Sequence, residues 1–340
     1  MAVAKSKAIL VTGAAGFIGF HLSKRLLEDG HIVVGMDSLN DYYDVNIKHA
    51  RLNILKKFDS FSFEHENLAN QKGVDAIFKN HTIGKVVNLA AQAGVRYSLI
   101  NPHAYIEANI TGFHNMIDAA RKNNVENFLF ASSSSVYGAN TALPFSVEDN
   151  VDHPVSLYAA TKKSNELIAH SYAVNFGLPV TGLRFFTVYG PWGRPDMALF
   201  LFTKAILNDQ PIDVFNNGKM IRDFTYVGDV VEGIVRLLDK PAAPNKDWSS
   251  DTPSPASSFA PYRIFNIGNN SPVNLMDFIH AIEDELGKKA QINYLPIQMG
   301  DVPETYAEVT ALQDAIDYKP ETTIKEGIHE FIKWYKSYFK

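Results

Sequence analysis

The stretch from Ala8 to Asp37 constrains the fold more than any other. Ala8-Ile-Leu-Val-Thr12 is a short apolar run of the kind that forms a parallel strand buried on both faces. It leads directly into Gly13-Ala-Ala-Gly16-Phe17-Ile18-Gly19, followed by an amphipathic helical stretch to Gly30. Ile32-Val-Val-Gly-Met36 reads as a second buried strand with Asp37 at its end. Strand, glycine turn, helix, strand and acid, in this order, are the context of a dinucleotide-binding unit. The glycines allow a tight turn and close approach of backbone to a pyrophosphate. The helix N-terminus offers that anion free N–H groups and the positive end of a dipole. Asp37, 18 residues beyond Gly19, is placed to accept ribose hydroxyls and to repel a 2′-phosphate, which favours NAD over NADP.

The chain continues in the alternation of a doubly wound α/β fold. Asp41 to Phe58 is polar and helical, and Phe61-Ser-Phe63 opens a third strand. Lys85-Val-Val-Asn-Leu89-Ala90 is a fourth strand and Asn127-Phe-Leu-Phe-Ala131 a fifth, with a long helix expected from Pro102 to Asn123. The small residues Ala90-Ala91-Gln92-Ala93 at a strand's carboxyl end let a cofactor lie close. Leu178 to Leu183 is a sixth strand. We expect a Rossmann-type parallel sheet over residues 1–180 and a smaller α/β substrate lobe over 181–340, with some interleaving of the chain. In the second half, Ile264-Phe-Asn-Ile267 is strand-like, while Leu275 to Leu286 and Ile324 to Phe339 are helical. Pro241 to Pro261, rich in Pro, Ser, Ala and Asp, reads as an exposed loop.

Composition removes several chemistries. The 340 residues contain no cysteine, which excludes disulfides, thiol nucleophiles and iron–sulfur clusters. The eleven histidines show no metal-ligand spacing, so no metal is expected. With 32 basic and 37 acidic residues the net charge is −5, and no basic run suggests a nucleic-acid partner. No apolar stretch reaches membrane-spanning length, and Met1 to Lys7 is too short and polar for a secretory signal. A soluble cytoplasmic protein is expected.

Tyr158-Ala-Ala-Thr-Lys162 places a phenol and an ammonium one turn apart on a helix face, and no other tyrosine of the fifteen has a lysine at this spacing. An adjacent ammonium is expected to lower the phenol pKa and make Tyr158 a proton acceptor for a substrate hydroxyl. Upstream, Ser132-Ser133-Ser134-Ser135-Val-Tyr-Gly138 ends the fifth strand at its carboxyl edge.

The glycine spacing GxxGxxG together with this Tyr-x-x-x-Lys pair resembles the short-chain dehydrogenase/reductase superfamily. The length and later motifs look like its extended branch, the nucleotide-sugar epimerases and dehydratases. The resemblance implies a catalytic set of Ser133, Tyr158 and Lys162, with Ser133 three positions before Val-Tyr-Gly. It implies cofactor contacts from Gly13, Gly16, Phe17, Ile18, Gly19, Asp37, Asn40, Lys48, Asn67, Leu68, Leu89, Ala90, Ala91, Gln92, Tyr158, Lys162 and Phe185. Asn67-Leu68 stands where the family usually has Asp-Leu beside the adenine. On the sugar side it implies Arg222, whose fork suits a diphosphate, and Asp301 of Gly300-Asp-Val-Pro303 as acceptor from the uridine ribose. An Arg commonly precedes that motif by three residues, whereas this chain has Gln298.

The resemblance also narrows the reaction. Dehydratases of the branch carry an Asp-Glu pair after the catalytic Ser or Thr, and here those places are Ser134 and Ser135. The glutamate typical of decarboxylating relatives is missing as well. Reversible oxidation and re-reduction, as in an epimerase, needs no further acid. Three segments are similar to the members acting on UDP-glucuronate: Thr187-Val-Tyr-Gly-Pro-Trp-Gly-Arg194-Pro-Asp, Ala91-Gln-Ala-Gly-Val-Arg96-Tyr-Ser98 and Ala260-Pro-Tyr-Arg263. By this likeness Thr187 and Arg194 hold a sugar carboxylate, Arg96 and Ser133 contact the substrate, and NAD stays bound and is regenerated. The expected reaction is C4 epimerisation of UDP-glucuronate to UDP-galacturonate through a 4-keto intermediate. Alternatives are epimerisation of UDP-glucose or a UDP-N-acetylhexosamine, decarboxylation, and a non-catalytic NAD-binding role. A homodimer through the helices after strands four and five is expected from the family alone.

Overall fold

The computed structural model describes residues 7–298 and 300–339; the polar lead Met1–Ser6 lies outside the described residues. The first half supplies β1 (Ala8–Thr12), β2 (Val33–Asp37), β3 (Phe61–His65), β4 (Ile83–Asn88), β5 (Asn127–Ser133) and β6 (Val180–Phe185). The second half supplies β7 (Thr187–Tyr189), β8 (Ile212–Val214), β9 (Ile221–Tyr226), β10 (Tyr262–Ile267), β11 (Pro272–Asn274) and β12 (Ile292–Tyr294). The large sheet runs β10-β6-β5-β4-β1-β2-β3, and every neighbouring pair is parallel. This is the Rossmann-type arrangement expected. The order turns back between β1 and β4, which opens a crevice at the carboxyl ends of those strands.

Buried strands need cover on both faces, and two layers of helix supply it. Phe17–Glu28 and Val227–Leu238 pack Phe20, Leu26, Val230 and Ile234 against one face. Gln71–Asn80, Phe113–Lys122 and Leu157–Phe176 pack Ile77, Met116, Ala169 and Ala173 against the other. The small sheets β11-β9-β7 and β12-β8 join Ala198–Leu207, Leu275–Leu286 and Ile324–Tyr338 around a separate aromatic core. In that core Phe224 and Phe278 stack with centroids 4.1 Å apart. Because β6 and β10 lie in the large sheet, a division at 180/181 separates halves of the sequence rather than sheets.

Two expectations change. The helix expected over Pro102 to Asn123 is not uniform: Pro102–Tyr105 and Phe113–Lys122 are α-helical, and Ile106–Gly112 between them is a π-helix. The wider turn carries Asn109, whose amide clamps the backbone of Gln92 and reaches Thr161. Pro241 to Pro261 forms no helix or strand, but it is not simply exposed. Ala256 and Ala260 are buried in the same core as Ala169 and Ile264, and Ser258 hydrogen-bonds His170 at 2.9 Å. Small apolar side chains spaced within a polar run fill this gap, a pattern that composition conceals.

Candidate active site

A cavity of about 300 Å³ opens at the β1/β4 switch. Gly13 takes φ +72°, and a Cβ on Gly19 would stand 2.0 Å from the Gly13 carbonyl oxygen, so this turn admits no side chain there. The cradle therefore leaves room for a pyrophosphate against bare backbone. Asp37 ends β2 at the cavity, accepting from Ala15 N–H at 3.1 Å and Leu39 N–H at 2.8 Å. Lys48 donates to the Asn40 carbonyl at 2.5 Å and to Asn40 Oδ1 at 2.7 Å, and burial lowers its pKa. Asn67 donates to Glu107 at 3.2 Å beside Leu68. Every residue expected at the cofactor lines this one cavity, from the glycine turn through Leu89–Gln92 to Phe185. These residues fit a dinucleotide: apolar floor, open turn, and an acid at the ribose end.

Ser133, Tyr158 and Lys162 line the same cavity. Ser156 caps the helix Leu157–Phe176 by accepting from Ala159 N–H at 3.1 Å, which starts the helix one residue before Tyr158. The pair is on one face, as its spacing requires, but the expected electrostatics do not hold. Lys162 donates to the Ala131 carbonyl at 2.9 Å, and burial draws its own pKa down to about 8. Burial raises the Tyr158 pKa; the Ser133 hydroxyl and the charge of Arg194 oppose the rise. The proximity of a lysine in sequence said nothing about where its ammonium would turn. Ser133 donates to Ser135 Oγ at 3.1 Å and accepts from the Ser135 N–H at 3.1 Å.

Behind this set lies a buried ionic network that sequence reasoning missed. Arg184 of β6 grips Glu166 of the Tyr158 helix with bonds of 2.9 and 3.0 Å. Ser132 donates to Glu166 at 2.6 Å, and Arg184 donates to the Tyr137 hydroxyl at 3.1 Å. Tyr137 in turn donates to Asn266 of β10 at 2.6 Å. The network ties β5, β6, β10 and the helix together directly beneath Ser133. Glu166 falls one turn beyond Lys162 on the same helix, which was the available signal.

The sugar-side residues separate into two groups. Arg194 lines the main cavity, bound to Asp196. Thr187 lines a neighbouring cavity of about 30 Å³ together with Arg194 and Met197. Arg96, Arg222 and Asp301 form a second group outside the main cavity's lining. Arg96 pairs with Asp301 at 2.7 Å and lies over the Phe215 ring, while Arg222 donates to the carbonyls of Val302 and Pro303. The Gln298 Oε1 is buried and has no hydrogen-bond partner among the described residues. Tyr42 and Tyr43 also line the cavity, a pair just past Asp37 that the sequence reading passed over. Among the described residues no group of three His, Asp or Glu could hold a metal ion, and no helix is long and apolar enough to cross a membrane.

A Rossmann-type cradle whose cavity is also lined by a serine, a tyrosine and a lysine defines a dinucleotide-dependent hydride-transfer class of enzyme fold. The chain belongs to the NAD dependent epimerase/dehydratase family, whose sequence model matches residues 9–268. It is 60% identical to Protein CapI of Staphylococcus aureus over 98% of this chain and 99% of that one. It is 45% identical to UDP-glucuronate 4-epimerase 4 of Arabidopsis thaliana, over 97% of this chain and 76% of the plant protein. The crystal structure of UDP-glucuronic acid 4-epimerase from Bacillus cereus, in complex with UDP-glucuronic acid and NAD, superposes with a TM-score of 0.86. That match is at 32% identity and covers 97% of this chain and 99% of the other.

Proposed function

We propose that the protein is an NAD-dependent isomerase that interconverts UDP-glucuronate and UDP-galacturonate at C4. The observation that carries this reading is that Arg194 shares one cavity with Ser133, Tyr158 and Lys162. A cation there suits a sugar with a carboxylate at C6.

Bound NAD supplies the site with an acceptor and donor of hydride. In the NAD-loaded site Tyr158 would act as the phenolate, the effect of burial being opposed by the Ser133 hydrogen bond and the charge of Arg194, and would take the proton of the C4 hydroxyl as hydride leaves C4, with Ser133 sharing the hydrogen bonds of that hydroxyl. Lys162, held on Ala131, would keep a positive charge in the part of the cavity lined by Ser133 and Tyr158. The resulting 4-keto sugar turns over, and Tyr158 returns the proton as hydride is restored to the opposite face. Elimination of water would need an acid and a base next to Ser133, and Ser134 and Ser135 provide only hydroxyls. The 4-keto uronate is a β-keto acid, prone to lose CO₂. Arg194, with Thr187 in the adjoining cavity, restrains the carboxylate from the alignment that permits this.

Residues 181–340 supply the sugar-side lobe, and its Arg222 and Asp301, with Arg96 from the first half, would face the UDP. We place the protein in the cytoplasm as a homodimer. Exposed Leu99, Ile100 and Ile106, with Leu167 and Val174 on the Tyr158 helix, support pairing through these helices. One observation favours a second reading: Arg194 already has a carboxylate partner in Asp196, so a neutral UDP-hexose would meet no unpaired charge. A product assay on UDP-glucuronate, UDP-glucose and UDP-N-acetylglucosamine separates the two. We expect UDP-galacturonate from the first and little conversion of the others. Faster conversion of a neutral sugar would overturn the assignment.

A further inference from the structure

Arg51 is among the largest fully buried side chains, and no step of the reaction above uses it. It stands on the helix Val45–Leu55, one turn beyond Lys48 and outside the lining of the cofactor cavity. Arg184, also fully buried, is neutralised by Glu166 at 2.9 Å. Arg51 instead turns its fork on backbone. Its Nη1 donates to the Ala15 carbonyl of the glycine turn at 2.7 Å and to the Tyr43 hydroxyl at 3.0 Å. Its Nη2 donates to the Trp192 carbonyl at 2.5 Å.

The segment at the second end is strained. Trp192 takes φ +58°, in the left-handed region that bulky side chains avoid. Such backbone persists only where its surroundings fix it. The Trp192 ring packs against Phe20, Trp334 and Tyr338, with centroids 5.5, 5.1 and 5.0 Å away. The Pro191 carbonyl accepts from His21 at 2.8 Å; burial lowers the His21 pKa to about 4, so the donor is a neutral imidazole. Arg51 fixes the Trp192 carbonyl itself. Two residues further on, Arg194 enters the main cavity. At the first end, Ala15 is held on both sides: its N–H donates to Asp37 at 3.1 Å and its carbonyl accepts from Arg51. The turn that fits the pyrophosphate is thus joined to the loop carrying Arg194 by one planar group, whose two nitrogens are a fixed distance apart. A shift of either carbonyl moves the other or breaks a buried hydrogen bond.

We propose that Arg51 is a positioning residue that couples the two ligands: a glycine turn held by the cofactor fixes, through Arg51, the loop that aims Arg194 at the sugar carboxylate. The proposal rests on the UDP-glucuronate reading above. Cofactor and hexuronate then strengthen each other's binding, and by linkage the effect is equal in both directions. UDP, which lacks the sugar, does not engage Arg194 and gains nothing from the coupling. A lysine at position 51 keeps the buried charge but offers a single nitrogen, so it holds the turn or the loop and not both.

The test compares UDP-glucuronate with UDP on the NAD-loaded protein, in a Tyr158→Phe background that blocks turnover. Calorimetric titration gives the two affinities, and release of NAD on dilution gives its off-rate with either ligand present. In the parent, UDP-glucuronate should slow NAD release at least about fivefold more than UDP does. Adding Arg51→Lys should weaken UDP-glucuronate about tenfold, leave UDP unchanged and abolish that difference in NAD release. His21→Phe, which loosens the same loop at Pro191 and leaves Ala15 held, should weaken UDP-glucuronate about threefold and narrow the difference, and it decides the matter if Arg51→Lys does not fold. An unchanged ratio of UDP-glucuronate to UDP affinity in these variants shows Arg51 to be structural only and overturns the proposal. A difference in NAD release that is absent from the parent, or that survives in the variants, overturns it equally. UDP binding without UDP-glucuronate binding in the Tyr158→Phe parent overturns the substrate assignment itself, and the coupling with it.

Discussion

Lys162 gives its hydrogen bond to the carbonyl of Ala131, at 2.9 Å, although the phenol of Tyr158 lies one helical turn away. Ala131 belongs to β5 two residues before Ser133, so the ammonium fastens the helix that presents Tyr158 to the strand that presents Ser133. Burial holds the Lys162 pKa at about 8, against 10.5 for an exposed lysine. Between these values the unfolded chain binds more protons than the folded one, so stability rises with pH across that window. Below pH 8 the full penalty of about 3 kcal/mol applies. Lys162→Met should flatten the stability profile between pH 8 and 10.5, read from urea unfolding of cofactor-free protein, and lower turnover at least about 100-fold. A wild-type slope retained in the variant would show that the ammonium is not buried as described.

Glu166 and Arg184 form a pair with side chains 1% and 0% exposed. Removing one partner strands the other charge. Glu166→Ala should cost about 3–5 kcal/mol in unfolding free energy, and Glu166→Leu with Arg184→Met should recover most of it. A single-variant loss under about 1 kcal/mol, comparable to an exposed pair, would contradict the buried network.

Arg194→Ala should either lose UDP-glucuronate or release CO₂ and a UDP-pentose, followed by mass spectrometry of the products. Unchanged epimerisation without CO₂ would show that the carboxylate is restrained elsewhere.

Leu167 is 60% exposed on the Tyr158 helix. If the helices pair two copies, Leu167→Glu should shift the sedimentation mass from dimer toward monomer. A dimer undisturbed by this charge would place the interface on another surface.

The cofactor half was legible because its rules are local. A glycine that tolerates no Cβ, an acid closing β2 and small residues after β4 each leave a mark at fixed spacing, and all of them converge on the cavity. The direction of Lys162, the bidentate grip of Arg194 on Asp196 and the network from Glu166 to Asn266 were not legible. Those depend on which rotamer a long side chain adopts and on partners far along the chain. Glu166 and Asn266 are 100 residues apart. The π-turn at Ile106–Gly112 escaped for another reason: its hydrophobic pattern is that of the helix on either side, and the extra residue shows only in how Asn109 reaches Gln92.

The central claim is that Tyr158 and its neighbours carry out a reversible oxidation at C4 with a cofactor that never leaves. UDP-glucuronate deuterated at C4 tests this most directly, incubated with the purified protein without added NAD and followed by NMR. The account predicts UDP-galacturonate with the deuterium retained at C4. Loss of the label to solvent would contradict it, as would product formed only when NAD is supplied for each turnover.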